Sequence, residues 1–294
     1  MHKCCKNIHN VVRLAHQRHE DANIKGDKKM KNIKKILAAV LAVAIVAVTF
    51  VACSGSKEET KSITANEGVL VMATNATFPP YEYKDGDDFA GIDVEIAGKI
   101  AEKLGLKLEI QDVEFGSIIG GVQTGKFDMG MAGMTVTDER KQSVNFTNTY
   151  AKAKQVVIVK EGSAIKSLDD LKGDGSMKYG VQQDTTGDIY ASDTAENGGY
   201  GEENVIRYKT GAEAIEALKA DKVQAVIIDN EPAKSFVEAN EGLTILDGAW
   251  VEEEYAIAIS KDNEELLNKI NAALEELKAD GTIQQIVDKY IPAK

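Results

Sequence analysis

Gly125-Lys-Phe-Asp-Met-Gly-Met-Ala-Gly-Met-Thr-Val-Thr-Asp-Glu-Arg140 reads as a short apolar strand, Phe127 to Met131, that runs through small residues and two threonines into a helix start carrying one arginine. A strand end, hydroxyls and a fixed cation can together hold a carboxylate. The planar guanidinium offers such a group two parallel donors. The first N–H groups of a helix add donors and a favourable dipole. The same residues also suit a plain strand–turn–helix junction with a solvated arginine. The rest of the chain has to separate the two readings.

Upstream, Gly68 to Thr74 is a buried-strand run that ends in Asn75-Ala-Thr-Phe78-Pro79-Pro80-Tyr81-Glu-Tyr83. Two of the four prolines fall here, which predicts a rigid loop at a strand's carboxyl end. Such ends are where α/β folds place ligands. Phe78 and Tyr81 are candidate core plugs. Ile92, Ile96, Ile100 and Leu104 are spaced as one helical face, stopped by Gly105. Leu106 to Val113 alternates as a strand. Phe115-Gly-Ser117 opens a short helix carrying Ile118, Ile119 and Val122. The order β-α-β-α-β predicts a mostly parallel sheet with helices on its faces.

Downstream, Phe146 to Lys154 lacks helical period and predicts a crossing segment into a second unit, entered by a strand at Gln155 to Lys160. Ser167-Leu-Asp-Asp170 is a capping box. Lys178 to Gln182, Val205 to Tyr208 and Val223 to Ile228 read as strands, the last ending at Asp229. Gln183-Asp-Thr185-Thr186-Gly187-Asp188 is another strand-to-helix junction rich in hydroxyls, and Gly211 to Asp221 is a helix. Tyr255 to Ser260 reads as a strand, followed by an amphipathic helix over Asn263 to Lys278 and a last helix around Ile283 to Tyr290.

Composition removes most chemistries. All four histidines (His2, His9, His16, His19) and all three cysteines (Cys4, Cys5, Cys53) precede residue 54. A body without either cannot build a Ser–His–Asp triad, a Cys–His pair or a usual zinc site, and no phosphate-binding or EF-hand loop is present. No cofactor, no metal and no enzyme activity are expected. Residues 1–52 hold ten Lys/Arg and three Asp/Glu, which leaves 25 basic and 44 acidic residues beyond them. So acidic a body repels phosphate backbones, and nucleic acid is not an expected partner.

Met30-Lys-Asn-Ile-Lys-Lys35 followed by the apolar run Ile36 to Ala52 fits a secretory signal better than a packed helix. The run is short for a full membrane span. Phe50-Val51-Ala52-Cys53-Ser54 resembles a bacterial lipoprotein cleavage site, which makes Cys53 the lipidation residue. Phe50 departs from the usual aliphatic residue there. An ordinary signal peptide or an uncleaved anchor is the competing reading. Met30 is a candidate true start, with 1–29 then outside the protein. Residues 53–66 read as a flexible tether.

Taken together, Thr74-Asn-Ala-Thr-Phe78-Pro-Pro-Tyr-Glu82, Gly91-Ile-Asp-Val-Glu-Ile-Ala97, Gly125-Lys-Phe-Asp128, Thr135-Val-Thr-Asp-Glu-Arg140, Gln182-Gln-Asp-Thr-Thr-Gly187, the Asp229 strand end and Lys278-Ala-Asp-Gly281-Thr-Ile283 resemble the bacterial extracellular solute-binding proteins of family 3. These are the amino-acid-binding proteins of ABC importers. The resemblance spans nearly all of Gly68 to Ile291. It implies an α/β fold of the type II periplasmic-binding-protein kind, with two lobes, two hinge crossings and ligand in the cleft between them. Lobe 1 is expected over 67–152 plus 250–294, and lobe 2 over 153–249. The implied protein is a monomer, lipid-anchored outside the cytoplasm, that hands a free amino acid to a membrane permease.

By the same resemblance the ligand's α-carboxylate lies on Arg140, helped by Thr135 and the backbone near Thr185 and Thr186. The α-ammonium goes to Asp229 and the Gly133 carbonyl. Phe78 and Phe115 clamp the side chain, and Asn75 and Gln182 face its far end. Each charge of a zwitterion leaving water needs such a partner. Asp229 as a simple helix N-cap, Thr185 and Thr186 as caps and Phe115 as core are the plainer readings. Asn75 stands where several binders of basic amino acids carry Asp. Asp184 stands where the family often has Gly and reads as a solvated turn residue. The rival functions are a prephenate- or arogenate-dehydratase-like enzyme on the same fold, and an amino-acid-binding adhesin or sensor.

Overall fold

The computed structural model describes residues 62–292. The leader, Cys53 and most of the tether lie outside the described residues. The last part of the expected tether does not hang free. Thr64 is buried, the Ala65 N–H donates to Asp128, and Ile63 packs on the main core.

The apolar run at the start forms β1 (Val69–Thr74). The following segment, expected as a loop, is instead a small three-stranded sheet of β2 (Thr77–Phe78), β3 (Glu82–Asp85) and β4 (Asp88–Ala90). Its strands are too short and too charged to show an alternating pattern. Helix α1 (Ile92–Leu104) buries Ile92, Ile96, Ala97 and Ile100 and ends at Gly105, whose φ of 68° supplies the left-handed cap. Next come the edge strand β5 (Lys107–Asp112) and α2 (Ser117–Gln123). The opening stretch yields a strand of only two residues, β6 (Met129–Gly130), then α3 (Asp138–Ser143) and β7 (Val144–Phe146).

Strand β8 (Ala151–Lys160) is ten residues long and carries the chain onward. It is followed by β9 (Tyr179–Gln182), α4 (Thr186–Ser192), β10 (Val205–Tyr208), α5 (Gly211–Lys219), β11 (Ala225–Asp229) and α6 (Asn230–Ala239). Short β12 (Leu243–Ile245) and β13 (Val251–Tyr255) then lead to β14 (Ala258–Ser260), α7 (Glu264–Ala279) and α8 (Thr282–Tyr290). Tyr255 to Ser260, expected as one strand, is thus divided between two.

The strands make two main sheets. The first runs β5-β1-β6-β14-β7 and the second β10-β9-β11-β8-β12, with β13 added on β8. The C-terminal β14 inserts between β6 and β7, so the chain returns to the first sheet after building the second. Val251–Tyr255 pairs antiparallel with Ala151–Gln155 in the second sheet, and the return comes at Ala258. This β8–β13 ribbon is the double crossing. Its outward residues are Lys152, Lys154, Glu252 and Glu254, while Ala153, Gln155, Glu253 and Tyr255 are buried. The two-residue period of a strand puts those four on one side.

The candidate ligand cleft

Strands β1, β9 and β11 all end at the seam between the sheets, as strand ends do in folds of this layering. There Asn75, Phe78, Phe115, Gly133, Thr135 and Arg140 come from the first unit. Gln182, Thr185, Thr186 and Asp229 come from the second. The ten residues line a single narrow cavity, whose wall Glu82 and Ala132 complete.

Arg140 is positioned by its own helix start. Thr137 is the N-cap of α3, and its hydroxyl accepts from the Arg140 N–H at 3.1 Å. The buried guanidinium then donates to the Thr135 carbonyl at 2.8 Å and to the Asp184 carbonyl of the second unit at 3.1 Å. It also sits over the Phe115 ring, 5.2 Å from its centre. Both hydrogen-bond partners are neutral carbonyls. Burial accordingly pushes the guanidinium below its ordinary pKa. Asp184 is an exposed turn residue, as expected, and at φ 65° its backbone carbonyl reaches Arg140 across the cleft while its side chain lies against Gly116 of the first unit.

Asp229 ends β11 at the N-cap position of α6, but its side chain makes no capping bond. It accepts instead from the Tyr255 hydroxyl of the crossing ribbon at 2.5 Å. Burial, and then neighbouring Glu253, push the Asp229 carboxyl up to about 7. The plain cap reading therefore fails for Asp229 and holds for Thr185. The Thr185 hydroxyl caps α4 through the Asp188 N–H and donates to the Gln182 carbonyl. The Thr186 hydroxyl accepts from Gln155 at 3.3 Å.

The far end of the cavity is closed by amides. Gln182 Nε2 donates to Asn75 Oδ1 at 2.9 Å, joining the two units, and Asn75 Nδ2 donates to the Val113 carbonyl. Outside the cavity lining, Lys209 of the second unit pairs with Glu114 of the first at 3.0 Å. Gly133 adopts φ 52°, and a Cβ there would stand 3.0 Å from the Phe78 ring, so glycine alone fits both demands.

Sequence reasoning missed an acidic layer under this site. Glu82 and Asp93 are almost completely buried, as is Glu253 on the ribbon. Asp93 Oδ2 accepts from the Gly133 N–H and the Tyr150 hydroxyl, both at 2.8 Å, and so fixes the Gly133 turn. Glu253 accepts from Gln155 at 2.8 Å. One signal was present: the alternation in Val251-Glu-Glu-Glu-Tyr255 puts Glu253 on the same side as Tyr255. Among the described residues no group of His, Cys, Asp and Glu is placed to hold a metal ion.

Comparison with known proteins agrees with this architecture. The profile of the bacterial extracellular solute-binding proteins, family 3, matches residues 70–293. The chain is 33% identical, over 88% of its length and 98% of the relative, to the arginine-binding extracellular protein ArtP of Bacillus subtilis. It is 36% identical to the L-arginine-binding protein of Pseudomonas aeruginosa, over 74% of this chain and 86% of that one. Among solved structures, an ancestral arginine-binding protein bound to glutamine superposes with a TM-score of 0.71 at 40% identity. It covers 78% of this chain and 100% of its own.

Proposed function

The chain belongs to the bacterial extracellular solute-binding proteins of family 3, and on that premise we propose that its cleft captures a free amino acid outside the cytoplasm and delivers it to the permease of an ABC transporter. It is a binding protein, not an enzyme, as are the relatives that it resembles over most of its length. The observation that carries the reading is the pair Arg140 and Asp229. They are a buried guanidinium and a buried carboxyl from two units of the fold, and both line one cavity.

The α-carboxylate takes the Arg140 fork, with Thr135 and the first backbone N–H groups around Thr185 and Thr186. The α-ammonium takes Asp229 and the Gly133 carbonyl. The side chain passes between Phe78 and Phe115 toward Asn75 and Gln182. A polar, extended side chain suits that path, since Glu82 and two amides line it. Arginine is the first candidate, because both named relatives are arginine-binding proteins. Glutamine is the second, because it occupies the similar ancestral protein.

Closure follows from differential contact. Arg140 and Asp229 come from different lobes, so a zwitterion satisfies both only when the lobes meet. Lobe 1 is taken as 67–152 plus 250–294 with the ribbon shared, and lobe 2 as 153–249. The protein works as a monomer tethered through lipidated Cys53, with residues 1–52 removed. Isothermal titration of the purified body against the common amino acids tests the binding role. A folded protein that gives heat with none of them refutes it. Mass labelling of Cys53 with a lipid precursor tests the anchor.

A further inference from the structure

Glu82 stands opposite Phe78 in the β2–β3 pairing, so both side chains leave the hairpin on one face, and both line the cavity. Glu82 is 1% exposed and Asp93 0%. Asp93 spends Oδ2 on two donors, the Gly133 N–H and the Tyr150 hydroxyl. Its other oxygen, Oδ1, is buried with no such partner, and so is Glu82 Oε2. Asp93 is a neighbour of Glu82, acting on its carboxyl both as a charge and as a hydrogen-bonding partner. Two ionised carboxylates side by side in a dry site repel, whereas one proton shared by the pair relieves the repulsion and supplies a donor where none is otherwise at hand.

The other groups around Glu82 do not supply a countercharge. Tyr81, Tyr150 and Tyr255 are buried phenols pushed further toward the neutral form, and Asp229 with Glu253 behind it adds negative charge. Arg140, the cation of the same cavity, is engaged by the Thr135 and Asp184 carbonyls. Resting on the amino-acid-binding reading, we propose that Glu82 and Asp93 share one proton, which a basic amino acid expels to solvent on entering the cleft and a neutral one leaves in place. Asp93 is then a positioning residue that acts through Glu82. With the proton in place, Glu82 is a neutral acid that can pair with an amide side chain. With it gone, Glu82 is the anion that a cationic side chain requires.

Burial itself favours the shared proton. Desolvation pushes Glu82 well above the ordinary carboxylate range and holds Asp93 at about 7.

Arginine and glutamine are titrated calorimetrically in two buffers that differ in ionisation enthalpy, which counts protons released. Arginine is expected to release about one proton more than glutamine. Asp93→Asn, whose amide can donate to an already ionised Glu82, loses most of that excess, and so does Glu82→Gln, which cannot ionise. Equal release for the two ligands, or an undiminished excess in both variants, overturns the proposal, as does a protein that accepts glutamine and refuses arginine. If arginine alone binds, its release in the native protein is compared with that in the variants, and equality overturns. Heat from neither ligand is a failure of the binding role instead. The proton pair is then judged by infrared difference spectra near neutral pH. A carboxylic-acid carbonyl band lost in Glu82→Gln supports it, and an unchanged spectrum overturns it.

Discussion

The Tyr255 hydroxyl donates to Asp229 Oδ1 at 2.5 Å, tying the crossing ribbon to the carboxylate at the end of β11. The bond reaches from the ribbon that links the two sheets to the acid proposed to hold the ligand's ammonium. The same Tyr255 ring meets Tyr81 edge-on, with centres 5.1 Å apart, so the hydroxyl is held by packing.

Tyr255→Phe keeps that packing and removes the donor. Asp229 then faces Glu253 with one stabilising bond fewer, and its carboxyl is more often protonated and unable to hold an ammonium. A hydrogen bond to a charged group contributes about 1.5–3 kcal/mol, so amino-acid affinity is expected to fall about tenfold or more. Calorimetric titration reads this directly. Native affinity in the variant would show that Asp229 does not depend on the tyrosine.

Arg140→Ala removes the carboxylate fork. Affinity is expected to fall more than about a hundredfold, because a buried ligand charge is left without its partner. Stability should change little. The arginine's two hydrogen bonds go to carbonyls, and relief of the buried cation offsets their loss. A shift in melting temperature of only a few degrees is expected. Native binding by the folded variant would remove Arg140 from the site.

The elements around Arg140 were legible because local chemistry placed them. Thr137 before a polar helix start, glycine at 105 and the Ile92-Ile96-Ile100 spacing each act over a few residues. The acidic layer was not legible. Asp93 meets Gly133 across 40 residues and Tyr150 across 57, and no period in the sequence reports such a meeting. Glu82 sits in a strand whose pattern, one buried residue and three at least partly exposed, looks like a surface turn. The return of the chain at β14 was likewise invisible to periodicity. It came only from the family resemblance, and the pairing of Ala258 with Gly130 and Phe146 shows it.

Gly133→Ala tests the turn between the two halves of the site. At φ 52° an alanine costs about 1–2 kcal/mol of backbone strain. Its Cβ would also press the Phe78 ring, 3.0 Å away, toward the cavity. Both stability and affinity should therefore fall, affinity by about tenfold if the ring narrows the side-chain path. Thermal unfolding and titration of the same sample separate the two effects. An unchanged affinity beside a lowered melting temperature would confine Gly133 to a structural role.

The buried acids also make stability depend on pH in a stated direction. Asp93 and Asp229 are both held at about 7, above the ordinary aspartate value of 3.8, chiefly by burial. The folded protein therefore binds protons that the unfolded chain has already released between those two values. The stabilisation from these two groups is fully present below about pH 4 and is lost as pH rises through about 7. Each can contribute on the order of a few kcal/mol across that window. Ligand-free protein should lose melting temperature between about pH 5 and about pH 8, and Asp229→Asn, which cannot ionise, should lose less. The slope difference between native protein and variant isolates Asp229 from the many surface carboxylates, which are the same in both. Parallel slopes would mean that Asp229 is already ionised in the free cleft, and its ammonium site would then be formed before any ligand arrives.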